Sequence, residues 1–504
     1  MASLESKLNN FIDDVSKAIG SEKVSTDRPT RMCYTLTHGP ECLLHENYIE
    51  EFLPAVVLRP TSTEDVQEIV KLANKYVVPL VPSGGRTGSY GAEGMRDCAI
   101  VDLRSMNRIL EFDEKNYRIT AEAGLLMADY VKFLRERGYM PLDWPASERS
   151  ATLGSRVAVN GYNWWENGWG PAEFHVRAIK VVLPNGDAVK LARGSSRPSK
   201  CGISYNLMSL FFGSKGTLGI ITEVTESFIE IPPMKVYGSM VFADIKDAFE
   251  AYLDIKRPRY SRLVWRTTVS TERYLKFIAP YIIKKEWPEE CKAVVDYHIF
   301  GEPQAVKEME EKVVNILKNH NGFERPELSD VRAYWDVHNL LEDYMGLASL
   351  TKRIKNQGAT MRMIFLDPNI PDSNLIAFYM DLQRLFSKME DENHYPALSQ
   401  VMTVLESGTP IPGMEGYNKF WVVLLADWEK WDGECRKEFK KWFREYAELV
   451  WSHNGSLSTT HGFIPRELEV EFLKRELGEK EYELMKLIKR TLDPNNIMNP
   501  KIFF

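Results

Sequence analysis

Apolar and polar positions along the chain fall into short blocks, and their periods predict a succession of helices and strands. Residues 4–19 set Leu4, Leu8, Phe11, Ile12, Val15 and Ile19 at i, i+4, i+7 spacing, which predicts an amphipathic N-terminal helix. The stretch from there to about Leu53 has no period and is expected to wrap the domain that follows. Ala55-Val56-Val57-Leu58 reads as a strand ended by Arg59-Pro60. Thr61-Ser62-Thr63-Glu64 then has the Ser/Thr-x-x-Glu spacing of a capping box, and the helix it opens aligns Val66, Ile69, Val70 and Ala73. Val77-Val78-Pro79-Leu80 reads as a short buried strand. Strands follow at Ala99–Leu103 and Tyr117–Glu122, and a helix around Met127–Arg137 is broken by Gly138. Short elements alternate from there to Ile231-Pro232-Pro233, the candidate domain boundary. Beyond it, Val236–Phe242, Val294–Phe300 and Trp421–Ala426 read as strands, and Ala305–Lys318 and Leu375–Met389 as helices. A helix rich in Glu, Lys and Leu, about Arg466–Arg490, comes near the end. The chain shows no internal repeat.

Composition narrows the class. A chain of 504 residues exceeds one hydrophobic core, so two or three domains are expected. With 44% hydrophobic and 27% charged residues it reads as an ordinary soluble globular protein. A net charge of −7 argues against non-specific nucleic-acid binding, which needs a basic surface. Cys33, Cys42, Cys98, Cys201, Cys291 and Cys435 include no Cys-x-x-Cys pair, so they suggest neither a zinc site nor a disulfide framework. No apolar run approaches the length of a membrane span, and Met1–Lys7 does not begin a signal peptide. A cytoplasmic protein without an integral membrane segment is the expectation.

The chain is organised around Val81-Pro82-Ser83-Gly84-Gly85-Arg86-Thr87-Gly88-Ser89-Tyr90-Gly91. Gly84, Gly85 and Gly88 carry no side chains to hold a ligand off the backbone, and successive N–H groups of such a loop can form a nest for phosphate or pyrophosphate. A plain tight turn is the competing reading. The loop lacks a Walker Gly-Lys-Ser/Thr ending and the Rossmann glycine spacing. The basic stretch Arg193–Lys200 reads as a solvated surface loop, with a lid as the alternative.

A series of further motifs gives the loop a context. It comprises Val101–Asn107, Thr120-Ala121-Glu122-Ala123-Gly124, Ala151-Thr152-Leu153-Gly154, Val159-Asn160-Gly161, Val181–Gly186 and Leu210–Glu223. In this order and spacing the chain resembles the vanillyl-alcohol oxidase/p-cresol methylhydroxylase superfamily of FAD-binding proteins. Within it, the series is most similar to the glycolate oxidase and D-lactate dehydrogenase branch, with alkyldihydroxyacetonephosphate synthase nearby. The resemblance implies an α+β fold: a two-part FAD-binding domain over residues 1–233 (core about 50–233), a cap of antiparallel sheet and helices over 234–450, and residues 451–504 returning to the FAD domain. It implies that Ser83, Gly84, Gly85, Arg86, Thr87 and Gly88 cradle the pyrophosphate. By the same correspondence Thr152, Gly154 and Asn160 line the ring and ribityl side. Gly216, Thr217, Gly219 and Ile221 form the adenine-side wall, and Asn499, in the closing Leu492–Pro500 motif, joins the cofactor site. Covalent attachment in the superfamily usually uses a His beside the glycine loop; Arg86 stands there, so the FAD is expected to be non-covalent.

The catalytic candidate is His461, in Gly455-Ser456-Leu457-Ser458-Thr459-Thr460-His461-Gly462. Oxidising an alcohol by hydride transfer needs a base for the hydroxyl proton, and His suits that role. The segment resembles the family's Gly-Ser-Ile-Ser-Gly-Glu-His-Gly; a structural histidine at a turn is the bland reading. Thr460 stands where hydroxy-acid dehydrogenases often carry a metal-binding Glu, and residues 395–425 contain no His, so no metal is expected. His298, His338 and His394 read as surface or packed residues. The aromatic run Tyr162–Gly170 could wall a flavin or pack beneath the cap. Arg353, Lys355 and Arg362 read as a solvated helix end, with carboxylate binding as the alternative. The resulting expectation is an FAD-dependent oxidoreductase acting on the C–OH group of a small alcohol or hydroxy acid, first a D-2-hydroxy acid such as D-lactate. An alditol oxidase, a non-redox transferase of the alkyl-synthase kind and a non-catalytic flavin-binding protein are the alternatives. The electron acceptor is not legible, and a homodimer is the expectation from such flavoproteins.

Overall fold

A computed structural model describes residues 4–35, 44–88, 94–145, 147–161, 166–192, 205–257, 260, 263–276, 286–325, 361–391, 398–406, 417–427, 431–457 and 464–504. The chain divides into two compact units. The first comprises Met1–Tyr162, Pro171–Glu230 and Ile464–Phe504; the second comprises Asn163–Gly170 and Ile231–Phe463.

The first unit holds two sheets. Strands β1 (Val24–Ser25), β2 (Val56–Leu58), β3 (Leu80–Ser83) and β4 (Ala99–Asp102) form a four-stranded sheet in the order β1-β2-β4-β3. β4 runs parallel to both β2 and β3, while β1 is antiparallel to β2. Burial on both faces explains why β2 and Ala99–Val101 of β4 are continuous apolar runs rather than alternating ones. The connection from β2 to β3 is the helix Thr63–Tyr76, whose Val66, Ile69, Val70 and Ala73 are fully buried. The second sheet contains β5 (Ile109–Asp113), β6 (Arg118–Glu122), β7 (Tyr139–Pro141), β8 (Val176–Val182), β9 (Ala188–Ala192) and β10 (Ile220–Glu230). Its order is β5-β6-β10-β8-β9, with β7 also paired to β10, and every pairing is antiparallel.

Several elements differ from the sequence reading. Val77 is not in a strand: it is half exposed and takes a left-handed φ of 56° to end the helix, so β3 starts three residues later at Leu80. The helix cap is Ser62, whose side chain accepts from the Asp65 N–H at 3.1 Å; the Asp65 carboxylate in turn accepts from the Thr61 N–H at 2.8 Å. The capping motif is therefore shifted one residue from the Thr61–Glu64 spacing. The C-terminal helix is two helices, Arg466–Leu477 and Glu479–Leu492, because Gly478 between them has φ 84°, which no helix accommodates. The aperiodic stretch before Leu53 contains β1 and the short helices Arg28–Met32 and Tyr48–Phe52. The N-terminal helix Leu4–Ile19 buries Phe11, Val15 and Ile19 as its stripe requires.

The second unit is built on one seven-stranded antiparallel sheet. Its strands are β11 (Met234–Phe242), β12 (Val264–Thr271), β13 (Ala293–Gly301), β14 (Met361–Leu366), β15 (Asn369–Pro371), β16 (Leu398–Glu406) and β17 (Tyr417–Asp427). The order is β11-β13-β12-β16-β17-β14, with β15 paired to β17. Its helices include Ile245–Ile255, Pro303–Asn319, Leu375–Asp391 and Gly433–Ser452. β12 escaped the sequence reading because Arg266, Thr267, Thr268, Ser270 and Thr271 are polar although buried, leaving neither an alternation nor an apolar run to detect. No described helix is long and apolar enough to cross a membrane.

Candidate functional site

The glycine loop leaves the C-terminal end of β3, where parallel strands present their following loops on a rigid frame. Two other loops and the C-terminus meet it there. Gly85 lies against the backbone of Ser150: a Cβ placed on it would stand 1.7 Å from the Ser150 carbonyl oxygen. Gly84 packs on the turn that follows, where a Cβ would stand 2.4 Å from Thr152 Oγ1. Only glycine fits at either position. Thr152 caps the helix Leu153–Ala158 through a reciprocal box with Ser155. Gly154 closes on Ala123, with its N–H donating to the Ala123 carbonyl at 2.8 Å.

The loop 214–219 closes the other side. Gly216 takes φ 75° and packs on Pro82 of β3, so both its conformation and its contact demand glycine. Thr217 is buried and donates its hydroxyl to the Ser214 carbonyl at 2.7 Å. The Lys215 N–H donates to the Ala158 carbonyl at 2.9 Å, which ties this loop to the helix end that precedes Asn160. Asn160 itself sits at φ 51° and accepts the Glu173 N–H on its side-chain oxygen at 3.3 Å. Gly219 and Ile221 lie where β10 begins; Gly219 packs on Val181 and Val182, and Ile221 is registered with Val181.

The C-terminus is stitched to the same place. The Leu80 N–H donates to the Ile497 carbonyl at 2.7 Å, and the Asn499 N–H returns to the Leu80 carbonyl at 2.9 Å. Asn499 is buried at φ 41° and donates its side-chain amide to the Lys215 carbonyl at 2.7 Å. Lys489 anchors the arrangement from below. Its ammonium is buried and donates to Asp493 Oδ2 (2.6 Å), the Met498 carbonyl (2.6 Å) and the Thr217 carbonyl (2.9 Å). Burial pushes Lys489 below the ordinary lysine range, and the Asp493 carboxylate opposes that shift. Replacing Asn499 with Ala removes one buried hydrogen bond and leaves a left-handed backbone without a tolerant residue. A loss of about 1–2 kcal/mol is expected in a urea titration.

Charge is organised on the remaining side. Arg86, at φ 54°, donates to the Cys33 carbonyl and lies 4.3 Å over the Tyr34 ring. Tyr34 donates its hydroxyl to Asp102 at 2.5 Å, and Asp102 is gripped by Arg104 through 2.7 and 3.0 Å bonds. Burial pushes the Asp102 carboxyl up, but the Arg104 and Tyr34 hydrogen bonds outweigh it and hold the group below the ordinary range. Asp102 is registered with Ser83, so this fixed ion pair stands beside the loop. Tyr34, Asp102, Ser150 and Lys489 were not singled out from sequence. Asp102 lay within the motif Val101–Asn107, and Lys489 carried the i, i+4 spacing to Asp493 at the helix C-cap.

The structure thus gathers Ser83–Gly88, Thr152, Gly154, Gly216, Thr217 and Asn499, with Asn160 behind Lys215 and Gly219–Ile221 on the adjoining strand. His461 lies outside the described residues, as do His338, His394, Arg353 and Lys355, Tyr162–Trp165 and the basic loop 193–200. Among the described residues no three His, Cys, Asp or Glu side chains gather as a metal site.

A family model described as "FAD binding domain" matches residues 54–192, and one described as "FAD linked oxidases, C-terminal domain" matches residues 231–502. The chain belongs to the FAD-linked oxidases. Of curated relatives, a D-lactate dehydrogenase of Anaerostipes hadrus is 26% identical over 89% of each chain. An alkyldihydroxyacetonephosphate synthase of Trypanosoma brucei brucei is 30% identical over 48% of this chain and 40% of that one. Among solved structures, p-cresol methylhydroxylase superposes with a TM-score of 0.77 at 17% identity, covering 99% of this chain and 96% of that one. The chain therefore has the two-domain p-cresol-methylhydroxylase-type fold, uses FAD and is an FAD-linked oxidoreductase. Its residues fit that cofactor. Ser83 is 2% exposed, and among the described residues its hydroxyl meets no hydrogen-bond partner, a group in want of an acceptor or donor from a ligand. Beside it, Gly84 and Gly85 let the loop close on the Ser150–Thr152 turn, which occupies the space their side chains would take.

Proposed function

We propose that this oxidase removes hydrogen from the C–OH carbon of a D-2-hydroxy acid of the D-lactate or glycolate type. The observation that carries the reading is the match to a D-lactate dehydrogenase along 89% of both chains. Bound FAD supplies the hydride acceptor. The chain's own residues bind, orient and move a proton. Ser83 to Gly88 offer the pyrophosphate a side-chain hydroxyl, backbone amides and the Arg86 charge. Thr152, Gly154 and Asn160 are assigned to the ring and ribityl side, Gly216, Thr217, Gly219 and Ile221 to the adenine side, and Asn499 holds the Lys215 carbonyl in place. His461 takes the hydroxyl proton. The cofactor is held without a covalent bond, since Arg86 follows the paired glycines. The domains are assigned as FAD binding for residues 1–233, substrate binding for 234–450 and a C-terminal return for 451–504.

The test is the visible spectrum of the purified protein, followed by anaerobic addition of 2-hydroxy acids, alditols and alkylglycerone phosphates. Bleaching of the oxidised flavin by a D-2-hydroxy acid is the expected result, and denaturation should release all of the flavin. Bleaching by alditols alone moves the substrate class. A flavin that no alcohol bleaches favours the non-redox transferase reading, in line with the trypanosomal relative's name as a synthase.

A further inference from the structure

Arg86 is out of keeping with the loop that carries it. Gly84 and Gly85 precede it, yet it holds φ 54° with a full side chain, a conformation that persists only where the surroundings over-determine it. Its guanidinium donates to the Cys33 carbonyl and lies 4.3 Å over the Tyr34 ring. Among the described residues no carboxylate forms an ion pair with it. Burial pushes the Arg86 guanidinium down; Tyr34 and Asp102 oppose that shift, and the Arg104 charge adds to it. An arginine with most of its fork unused and no counter-charge has donors left for an anion. In the same loop, the buried Ser83 hydroxyl likewise meets no partner among the described residues.

The ring beneath that guanidinium is fixed at every point. Tyr34 is 2% exposed and packs with Val57 of β2, Val81 of β3, Ile100 of β4, Met95 and Cys98. Its hydroxyl donates to Asp102 at 2.5 Å and accepts from Arg104 Nη2 at 3.1 Å. Its N–H donates to the Arg31 carbonyl at 3.0 Å, and its carbonyl accepts the Gly94 N–H at 3.0 Å. Burial and the Asp102 carboxylate push the phenol up, so it stays a donor. Asp102 is fully engaged, because Arg104 grips both of its oxygens, Oδ2 at 2.7 Å and Oδ1 at 3.0 Å. The nearest carboxylate is thereby neutralised by another arginine, and Arg86 rests unpaired on a rigid aromatic face.

We propose that Tyr34 is a positioning residue for the cofactor: its ring holds the Arg86 guanidinium ready for the diphosphate of FAD, and Asp102 and Arg104 hold the ring. This rests on the assignment of the glycine loop to the diphosphate. A side chain immobilised in advance loses little freedom when the ligand arrives, so the contact keeps more of its strength. Glycine at position 86 would relax the left-handed backbone and remove the charge, which separates a turn residue from an anion ligand.

The test titrates the full-length apoprotein with FAD and riboflavin by flavin fluorescence and with ADP by calorimetry, with the thermal midpoint of each variant measured alongside. Arg86→Gly should melt no lower than wild type, since glycine accepts the left-handed turn. Its affinity for FAD and for ADP is nevertheless expected to fall about 10–100-fold, while riboflavin, which has no phosphate, stays within about twofold. Tyr34→Leu should weaken FAD about 5–10-fold. Added to Arg86→Gly it should weaken FAD no further, because one residue acts through the other. Arg86→Lys keeps the charge without the planar stack, and a loss of about 3–5-fold is expected. It decides the role of Tyr34 if Tyr34→Leu does not fold. Unchanged FAD affinity in Arg86→Gly, equal losses for FAD and riboflavin, additive effects of the two substitutions, or Arg86→Lys equal to wild type would each overturn the proposal. If Gly85→Ala also leaves FAD affinity unchanged, the loop assignment falls with it; a Gly85→Ala that weakens FAD beside an indifferent Arg86→Gly overturns this proposal alone.

Discussion

His461→Ala is expected to slow reduction of the bound flavin by a 2-hydroxy acid about 10²–10⁴-fold, the usual contribution of a positioned general base. The argument is chemical. Hydride cannot leave the carbinol carbon readily unless the hydroxyl proton leaves too, since the product would otherwise be a protonated carbonyl. Among the residues matched to the family's motif, His461 is the one able to take that proton near neutral pH. The base works only as neutral imidazole, so the wild-type rate should fall as the solution is made acidic, and the variant should lose that limb. FAD should remain bound, because none of the loops described at β3 involves residue 461. A normal rate and an unchanged pH profile in the variant would remove His461 from the mechanism.

Gly85→Ala is expected to weaken FAD binding by about 100-fold or more and to lower the stability of the holoprotein. The new methyl would stand 1.7 Å from the Ser150 carbonyl oxygen, far inside van der Waals contact and against backbone rather than a yielding side chain. Relief requires the glycine loop and the Ser150–Thr152 turn to separate. Overpacking of this kind typically costs about 1–3 kcal/mol, and here it falls on two walls of the proposed cofactor site. Gly88 is the internal control, since a Cβ there meets nothing within 4 Å. Gly88→Ala should leave the protein's own packing and the stability of the apoprotein unchanged. Titration of the apoproteins with FAD by flavin fluorescence reads both variants; equal affinity in Gly85→Ala and wild type would show that the close approach is not required.

Much of the first unit was legible because its cues are local. The helix Thr63–Tyr76 has an apolar stripe and a polar cap, β2 and β4 are bounded apolar runs, and Gly84-Gly85 announces a bare loop. Where local cues misled, a competing local rule prevailed. Val77 looked like strand because it is β-branched, yet it ends a helix in a left-handed conformation that the chain needs in order to turn into β3. The Arg466–Arg490 stretch looked like one helix because its composition is uniform, and a single glycine at φ 84° divides it. β12 was silent because most of its buried residues are polar, so it reads neither as an alternating strand nor as an apolar run.

The sequence by itself determined the order of elements, the glycine loop, and through them the family and its cofactor. Those properties depend on residues close together in the chain, whose spacing survives without knowledge of the fold. Tertiary structure alone decided what the loop touches. Ser150, Lys215, Lys489 and Asn499 reach it from segments far along the chain, and Asp102 reaches it only because β3 and β4 pair in parallel. Period and spacing are local quantities; register and loop convergence are set by the packing of the whole domain, and the cofactor site of this flavoprotein is assembled at that level.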